Sequence, residues 1–311
     1  MFESEKKSEG EIWAISSGKG GTGKSFVTSS LGTCLASWGN RVVLIDADFG
    51  GANLHSFIGI KKPKLSLTDF FEKKAPLETL IVDTGITDLR LVTGDVGSLD
   101  SDNIKFTQKL KLYRHIVAID TDYVLIDLSA GSNYKTIDTF LLADKMIATM
   151  FPQLTAIENI YHFVKNVIFR KLIRSLRAHG FRNLAQYTWK NRNENGLKTL
   201  RELIEYLHDV SPQIDEIISR EFEGFSIYLI VNQVRGRNDI VIGSYVKSIF
   251  KKFFGVNAHY AGYVEYNDSI WRCINESKPF MTAHPFSRSA REIERVTKNL
   301  MNGKQVTLDR S

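Results

Sequence analysis

SSGKGGTGKS, residues 16–25, is the stretch whose reading decides the fold. Gly18 to Ser25 fits the pattern GxxxxGK[ST]. The run before it, EIWAISS (11–17), is short, apolar and β-compatible. The run after it, KSFVTSSLGTCLASW (24–38), sets Val27, Leu31, Leu35 and Trp38 at helical spacing and ends at Gly39. A glycine loop between a strand and a helix has a physical use. Its backbone N–H groups can close around phosphate oxygens, and the helix adds its positive N-terminal end. Gly18, Lys19, Gly20, Gly21, Thr22, Gly23, Lys24, Ser25 and Phe26 are therefore the candidate nucleotide-binding residues. Lys24 is placed to reach the β- and γ-phosphates, and the Ser25 hydroxyl to bind Mg²⁺. Lys19 is a second cation on the rim of the same loop. It is either a solvated lysine or a group that crosses to the nucleotide of a second, facing copy, where it would meet transition-state charge as an arginine finger does.

Working outward, RVVLIDA (41–47) is a strand apolar on both faces, as suits a parallel sheet covered by helices on both sides. LRLVT (89–93), YVLIDL (123–128), KMIATM (145–150), SIYLIV (226–231) and HYAGYV (259–264) are runs of the same kind, with helical stretches between most of them. The expected fold is a doubly wound, mostly parallel α/β sheet with helices on both faces. It forms one domain over 11–302, flanked by flexible tails at 1–10 and 303–311. The rhythm breaks between 150 and 226, a span too long for an ordinary crossover. It predicts a helical insertion at about 165–222, with a long helix opened by a capping box at Thr155–Glu158, a loop at 191–196 and a second amphipathic helix over Leu197–Leu207.

Lys19 to Ser25, KGGTGKS, resembles the KGGxGK[ST] loop of the ParA/MinD ATPases, in which the first lysine crosses to the partner's nucleotide. DADFGGANLHSFIG (46–59) is similar to that family's DxDxGxxN stretch. The resemblance implies that Asp48 helps place the attacking water, that Asp46 supports the Mg²⁺ region, and that Asn53 is the family's asparagine. Lys19, Lys24 and Asp48 are the implied catalytic residues. YVLIDLSAG (123–131) is a Walker B pattern: Asp127 would hold Mg²⁺ through its water shell, and 129–133 would sense the γ-phosphate. Ser25, Asp46 and Asp127 are thus the metal candidates. LIVNQV (229–234) resembles the element whose asparagine, here Asn232, hydrogen-bonds adenine. An amide both donates and accepts, which suits that base edge. GYVEYND (262–268) resembles the loop covering the base, carrying Tyr266, with Glu265 where relatives usually have proline. KPFMTAHPFSRSAREIERVTKNL (278–300) matches the closing helix. The similarity spans about 11–164 and 224–302. Its nearest flavour is the MinD branch, particularly FlhG/FleN-type regulators of flagellar number and placement.

This resemblance implies an ATP- and Mg²⁺-dependent homodimer switch in the cytoplasm, with slow hydrolysis raised by an activating protein partner. The alternatives are a partition ATPase on nonspecific DNA and a nucleotide-sensing scaffold with little hydrolysis. Cys34 and Cys273 are in no ligand-like spacing, which sets an iron–sulfur carrier low, and no tyrosine follows Tyr266, which argues against a tyrosine kinase of similar fold. From Lys165 to Arg192 no Asp or Glu intervenes among Lys165, Arg170, Lys171, Arg174, Arg177, Arg182, Lys190 and Arg192. Ile160, Val164, Val167, Ile168, Leu172, Ile173 and Leu176 form an apolar stripe beneath them. Such a helix can lie on an anionic membrane, meet DNA phosphates, dock an acidic partner, or be a core helix with a solvated positive face. The chain has 41 Lys+Arg against 35 Asp+Glu, a net +6 that permits such partners without selecting one. The last residues, NGKQVTLDRS, are too polar for a terminal membrane helix, and the N-terminus lacks an apolar signal and the glutamine-rich motif by which FlhG engages its partner.

Overall fold

The apolar runs become strands because alternate side chains can bury on opposite faces. In β1 (Glu11–Ser16), Ile12 and Ala14 join one core cluster while Trp13 and Ile15 join the other. The computed structural model describes residues 10–48, 51–61, 63–94 and 106–306. Both expected tails, apart from Gly10 and residues 303–306, lie outside these, as do Phe49 and Gly50 of the 46–59 stretch.

After β1 come α1 (Lys24–Ser37), β2 (Val42–Ala47), α2 (Leu54–Phe57), α3 (Leu67–Glu72), β3 (Ile81–Asp83), β4 (Leu89–Val92), α4 (Phe106–Val117), β5 (Tyr123–Leu128), α5 (Tyr134–Phe140) and β6 (Lys145–Met150). Then follow α6 (Leu154–Ala178), α7 (Leu184–Lys190), α8 (Leu200–His208), α9 (Pro212–Phe222), β7 (Ser226–Val234), α10 (Arg237–Phe254), β8 (Asn257–Glu265), α11 (Asp268–Asn275), α12 (Phe280–Ala283) and α13 (Arg288–Met301). The strands form one eight-stranded sheet in the order β3-β4-β2-β5-β1-β6-β7-β8. Every pairing is parallel except β3 with β4. Helices α1, α12 and α13 cover one face; α5 to α10 cover the other. The C-terminal strand ends of β1, β2 and β5 gather at the centre of the sheet, the usual place for a ligand site in such folds.

Four local differences from the sequence reading have physical causes. Edge strand β3 is three residues long and at most half-buried, so it carries no apolar run. α6 begins at Leu154 with Gln153 as an N-cap that makes no side-chain bond; Thr155 lies inside the first turn and caps nothing, and position 165 falls within this one helix. The second insertion helix starts three residues late, where Thr199 and Glu202 close a true capping box. The closing segment is two helices. Pro285, which follows His284 at the end of α12, has no N–H and disfavours helical geometry before it.

The apolar stripe of α6 is core. All seven of its residues are no more than 8% exposed. Of the readings open for this stretch, burial selects the core helix for its apolar face and removes a helix lying on a membrane by that face. Arg170 and Arg174 pair with Asp138, and Lys171 with Glu221. Lys165, Arg177, Arg182, Lys190 and Arg192 make no ion pair among the described residues.

Candidate nucleotide site

The loop between β1 and α1 is fixed from three sides. Ser17 Oγ donates to the Lys19 carbonyl at 2.7 Å, and the Gly131 N–H donates to the Ser17 carbonyl at 2.9 Å. Ser16 Oγ donates to the Ser129 carbonyl at 3.1 Å, so residues 129–131 at the end of β5 dock on the start of the loop. The Thr22 hydroxyl shares a 3.1 Å hydrogen bond with that of Thr149 on β6. A Cβ at Gly18 would sit 2.3 Å from the Asn159 carbonyl, so α6 packs directly on the loop's first glycine. Gly20 and Gly21 have nothing within 4 Å of an added Cβ, which leaves open space over the loop. Gly21 and Gly23 have φ of 79° and 84°, where a side chain is strained.

Behind the loop, Lys24 is 7% exposed and Asp127 1%. Neither Asp127 carboxylate oxygen has a hydrogen-bond partner. Burial pushes the Asp127 carboxyl well above the usual carboxylate range; the Lys24 ammonium and the Ser25 side chain oppose that rise. Asp46, opposite Asp127 in the β2–β5 register, is also raised, by burial first and by Asp127's charge second. An unsatisfied buried carboxylate beside a lysine, at the start of a helix that follows an open glycine loop, fits a magnesium–nucleotide site. Asp127 and Ser25 would hold the ion, with Lys24 on the phosphates. When bound, Mg²⁺ would neutralise phosphate charge.

Asp46, one of the metal candidates, already holds two backbone amides. Its oxygens accept from the N–H groups of Asp48, at 3.2 Å, and Leu54, at 3.0 Å. The carboxylate thus ties the first residue of α2 to the end of β2, beside half-buried Asp48. Asn53 is exposed and donates to the Gly51 carbonyl at 2.9 Å. An added Cβ at Gly94 would fall 2.7 Å from Ala52 Cβ and 2.8 Å from the Asp46 carbonyl, so Gly94 supports the same region.

Lys19 is not free in solvent. Its Nζ donates to Thr155 Oγ1 at 3.2 Å and lies 4.6 Å from the centroid of the Phe151 ring. Asn232 is buried, and its Nδ2 donates to the Thr22 carbonyl at 3.0 Å. An adenine contact is left the second N–H and the second lone pair of Oδ1, since the first of each is used by the Thr22 carbonyl and the Gln233 N–H. Tyr266 lies at the end of β8 with the Arg235 guanidinium 4.0 Å over its ring, and its N–H donates to the Val234 carbonyl at 2.9 Å. Glu265 is tied to α13. It pairs with Arg288 at 2.5 Å, and its N–H donates to Glu292 at 2.8 Å, so charged groups hold the end of β8 to α13. Phe26 is buried edge-to-face against Phe280 at 5.7 Å, so any ligand contact it makes is through its backbone.

The structure therefore gathers Gly18–Ser25, Asp46, Asp48, Asp127 and residues 129–131 at one strand end, with Asn232 beneath the loop and Tyr266 at the end of the adjacent β8. Thr149, Phe151, Thr155, Asn159 and Gly94 escape a sequence reading, because each meets the site across a large sequence separation and none belongs to a local pattern.

This fold and site define a P-loop nucleotide-binding α/β protein. The chain belongs to the family of the CobQ/CobB/MinD/ParA nucleotide binding domain, which matches residues 13–280. It is 23% identical over 282 residues to the antiactivator FleN of Pseudomonas aeruginosa, covering 90% of this chain and 82% of that protein. It is 33% identical over 158 residues to the septum site-determining protein MinD of Bacillus subtilis, covering 48% of this chain and about half, 55%, of MinD. The septum site-determining protein MinD complexed with Mg-ADP, from Pyrococcus horikoshii, shares the fold with a TM-score of 0.62 at 20% identity, covering 93% of this chain and 95% of that one.

Proposed function

We propose that this protein binds and hydrolyses ATP with Mg²⁺ and works as a MinD/ParA-type dimerisation switch that positions or regulates a cellular structure. Residues 11–302 would act as one unit. Each copy would hold one nucleotide on Gly18–Phe26, and two copies would face one another across the nucleotides. The observation that carries this reading is the buried, unpartnered Asp127 beside Lys24 under an open glycine loop whose rim holds a second lysine. Asp48 would position the attacking water. The likeness to FleN and MinD supports a regulatory or positioning role in the cytoplasm, with an activating protein partner. A flagellum or the polar machinery is the cargo class this favours.

Phosphate release from ATP tests the reading. Slow, Mg²⁺-dependent release is expected from the wild type, falling roughly 10²-fold in Asp48→Ala. Failure of the wild type to bind ATP in calorimetry would remove the proposal altogether. ATP binding with release by the wild type no faster than background would leave a nucleotide-sensing scaffold, and equal release well above background would take the role from Asp48.

A second reading, binding to an anionic polymer, rests on the unpaired cations. Arg177, Arg182 and Lys190 are exposed, as is Tyr187 at 69%, and the Lys165 ammonium and Arg192 guanidinium lie 5.2 and 5.1 Å from the centroid of the Trp189 ring. Contact with anionic lipid through this region would rest on charge, because the apolar face of α6 is buried and is not available to insert. ATP-dependent binding to nonspecific DNA is expected to weaken at least about 10-fold between 50 and 200 mM salt. Replacing Arg177, Arg182 and Lys190 by Glu should abolish it. Binding to anionic liposomes but not to DNA would move the reading to the membrane.

A further inference from the structure

We infer that Glu292 is a positioning residue for the base of the nucleotide: it holds the end of β8 to α13 and so sets the shape of the 262–268 stretch, the expected cover of the base. This rests on the nucleotide reading above and deepens it.

Glu292 lies in α13 and is 5% exposed. Its Oε2 accepts from the Glu265 main-chain N–H at 2.8 Å. Its Oε1 makes no hydrogen bond and lies 3.4 Å from Arg288 Nε, while the same guanidinium pairs with the Glu265 carboxylate at 2.5 Å. One arginine thus stands between two acids, and its place needs them. Arg288 is the first residue of α13, where the helix dipole opposes a cation. Burial pushes the Glu292 carboxyl above its usual range, and the Glu265 N–H and the Arg288 and Arg295 charges act against that rise. The fold therefore tolerates a desolvated carboxyl here. What it gains is a strong acceptor for one main-chain amide at the end of an edge strand.

The neighbouring contacts show what that bond steadies. Ala261 is the extra residue of a bulge in the β7–β8 pairing, and its carbonyl accepts from Asn299 Nδ2 at 2.8 Å. A Cβ at Gly262 would lie 2.6 Å from Val296 Cγ2, so the helix sits directly on the strand. Asn267 Nδ2 donates to Ser289 Oγ at 3.3 Å. Helix α13 thus holds the chain at 261, 265 and 267. Tyr266, between the last two, is held by the end of β7 instead. Its N–H donates to the Val234 carbonyl at 2.9 Å, and the Arg235 guanidinium lies 4.0 Å over its ring. Asn232, the expected adenine contact, comes two residues before Val234 in the same strand. The Tyr266–Val234 bond therefore sets the loop in register with Asn232, and Glu292 fixes the residue just before that bond. The Arg288–Glu265 pair does not replace Glu292, since that arginine is 66% exposed and the pair is screened by water. Without Glu292 the Glu265 amide loses its acceptor, and the cover over the base is no longer pre-shaped.

The test uses a ligand with a base and one without. ATP and inorganic tripolyphosphate are titrated calorimetrically into the full chain, as wild type, Glu292→Ala, Glu292→Asp and Glu292→Gln. Glu292→Ala removes the acceptor. Glu292→Asp keeps the charge but ends one methylene short, and stands in should the alanine variant fail to fold. Glu292→Gln keeps an acceptor at the same reach. ATP binding is expected to weaken about 10-fold in the first two and to stay within about 3-fold of wild type in the third, with tripolyphosphate unchanged throughout. Equal weakening of both ligands makes Glu292 a general support of the fold and overturns the proposal. So does ATP binding that the first two variants leave as it was. Residue-resolved amide exchange of the ligand-free protein reads the loop itself. The Tyr266 amide, whose acceptor is Val234 and not Glu292, should lose protection in Glu292→Ala while residues 18–25 keep theirs. A loss confined to the Glu265 amide makes the bond a local one and overturns the proposal as well. Should tripolyphosphate bind too weakly to measure, protection at 18–25 is the control in its place. If the wild type binds neither ligand, the nucleotide reading falls, and exchange at Tyr266 still decides whether Glu292 holds the loop.

Discussion

Asp127→Asn is expected to stabilise the ligand-free protein and to abolish hydrolysis together. The carboxylate is 1% exposed and neither oxygen has a hydrogen-bond partner, so the empty fold carries a charge-bearing group that it does not satisfy. Asparagine keeps the shape and removes the charge. The gain at neutral pH should be about 2 kcal/mol, from no longer holding a desolvated charge, since the amide itself is no better hydrogen-bonded than the carboxyl; for a chain of this length that raises the melting temperature by roughly 3 °C. Hydrolysis should fall roughly 10²–10³-fold, because an amide cannot hold the ion's charge. The pH dependence follows from the same geometry. Burial holds the Asp127 and Asp46 carboxyls above their unfolded values. Between about pH 4, where an unfolded aspartate ionises, and neutrality, the folded chain therefore carries more protons than the unfolded one. Their contribution to stability is complete below that range and is lost as pH rises through the folded values. His55 and His259, lowered by burial, act in the opposite sense near pH 6.5. The decisive quantity is thus the difference between wild type and variant. Melting curves from pH 5 to 8 should show a wild type that loses stability relative to Asp127→Asn as pH rises. A constant difference would mean that Asp127 ionises normally in the fold.

The sheet was legible because its central strands are buried on both faces and so read as unbroken apolar runs: 42–47 and 123–128 became β2 and β5. Phosphate chemistry was legible because glycine spacing, lysine and serine are all local in sequence. The rest depends on contacts that no local pattern encodes. The Lys19–Thr155 bond spans 136 positions, and the Asn232–Thr22 bond 210. Composition left the insertion open. A stripe of apolar residues below a run of cations has the same spacing whether it faces lipid or a sheet. Only the burial of Ile160, Val164 and Leu172, each 0% exposed, shows that it faces the sheet. Thr155 reads as the first residue of a capping box, but a threonine within the first turn has its hydroxyl available for another partner, and here that partner is Lys19.

That contact gives the second large prediction two opposite signs. Lys19→Ala should bind ATP within about 3-fold of wild type, because Lys24 and the loop amides make the contacts within one copy. The ATP-dependent dimer should weaken at least about 100-fold, or roughly 2.7 kcal/mol, and hydrolysis should fall by about 10³, the scale of a crossing arginine finger. A lysine that only stabilised its own loop would lower ATP affinity instead. Thr155→Val takes away the intramolecular acceptor at 3.2 Å and leaves the ammonium with only the Phe151 ring. If the lysine must leave Thr155 to reach a facing nucleotide, the hydrogen bond made in the monomer opposes dimerisation, and removing it should strengthen the ATP dimer by about 3- to 10-fold. Sedimentation velocity with a non-hydrolysable ATP analogue measures both variants in one experiment. A dimer weakened by Thr155→Val as well as by Lys19→Ala would mean that the two residues build the interface together in the geometry seen here. The lysine would then cross to nothing, and the second cation of the loop would be a brace for α6.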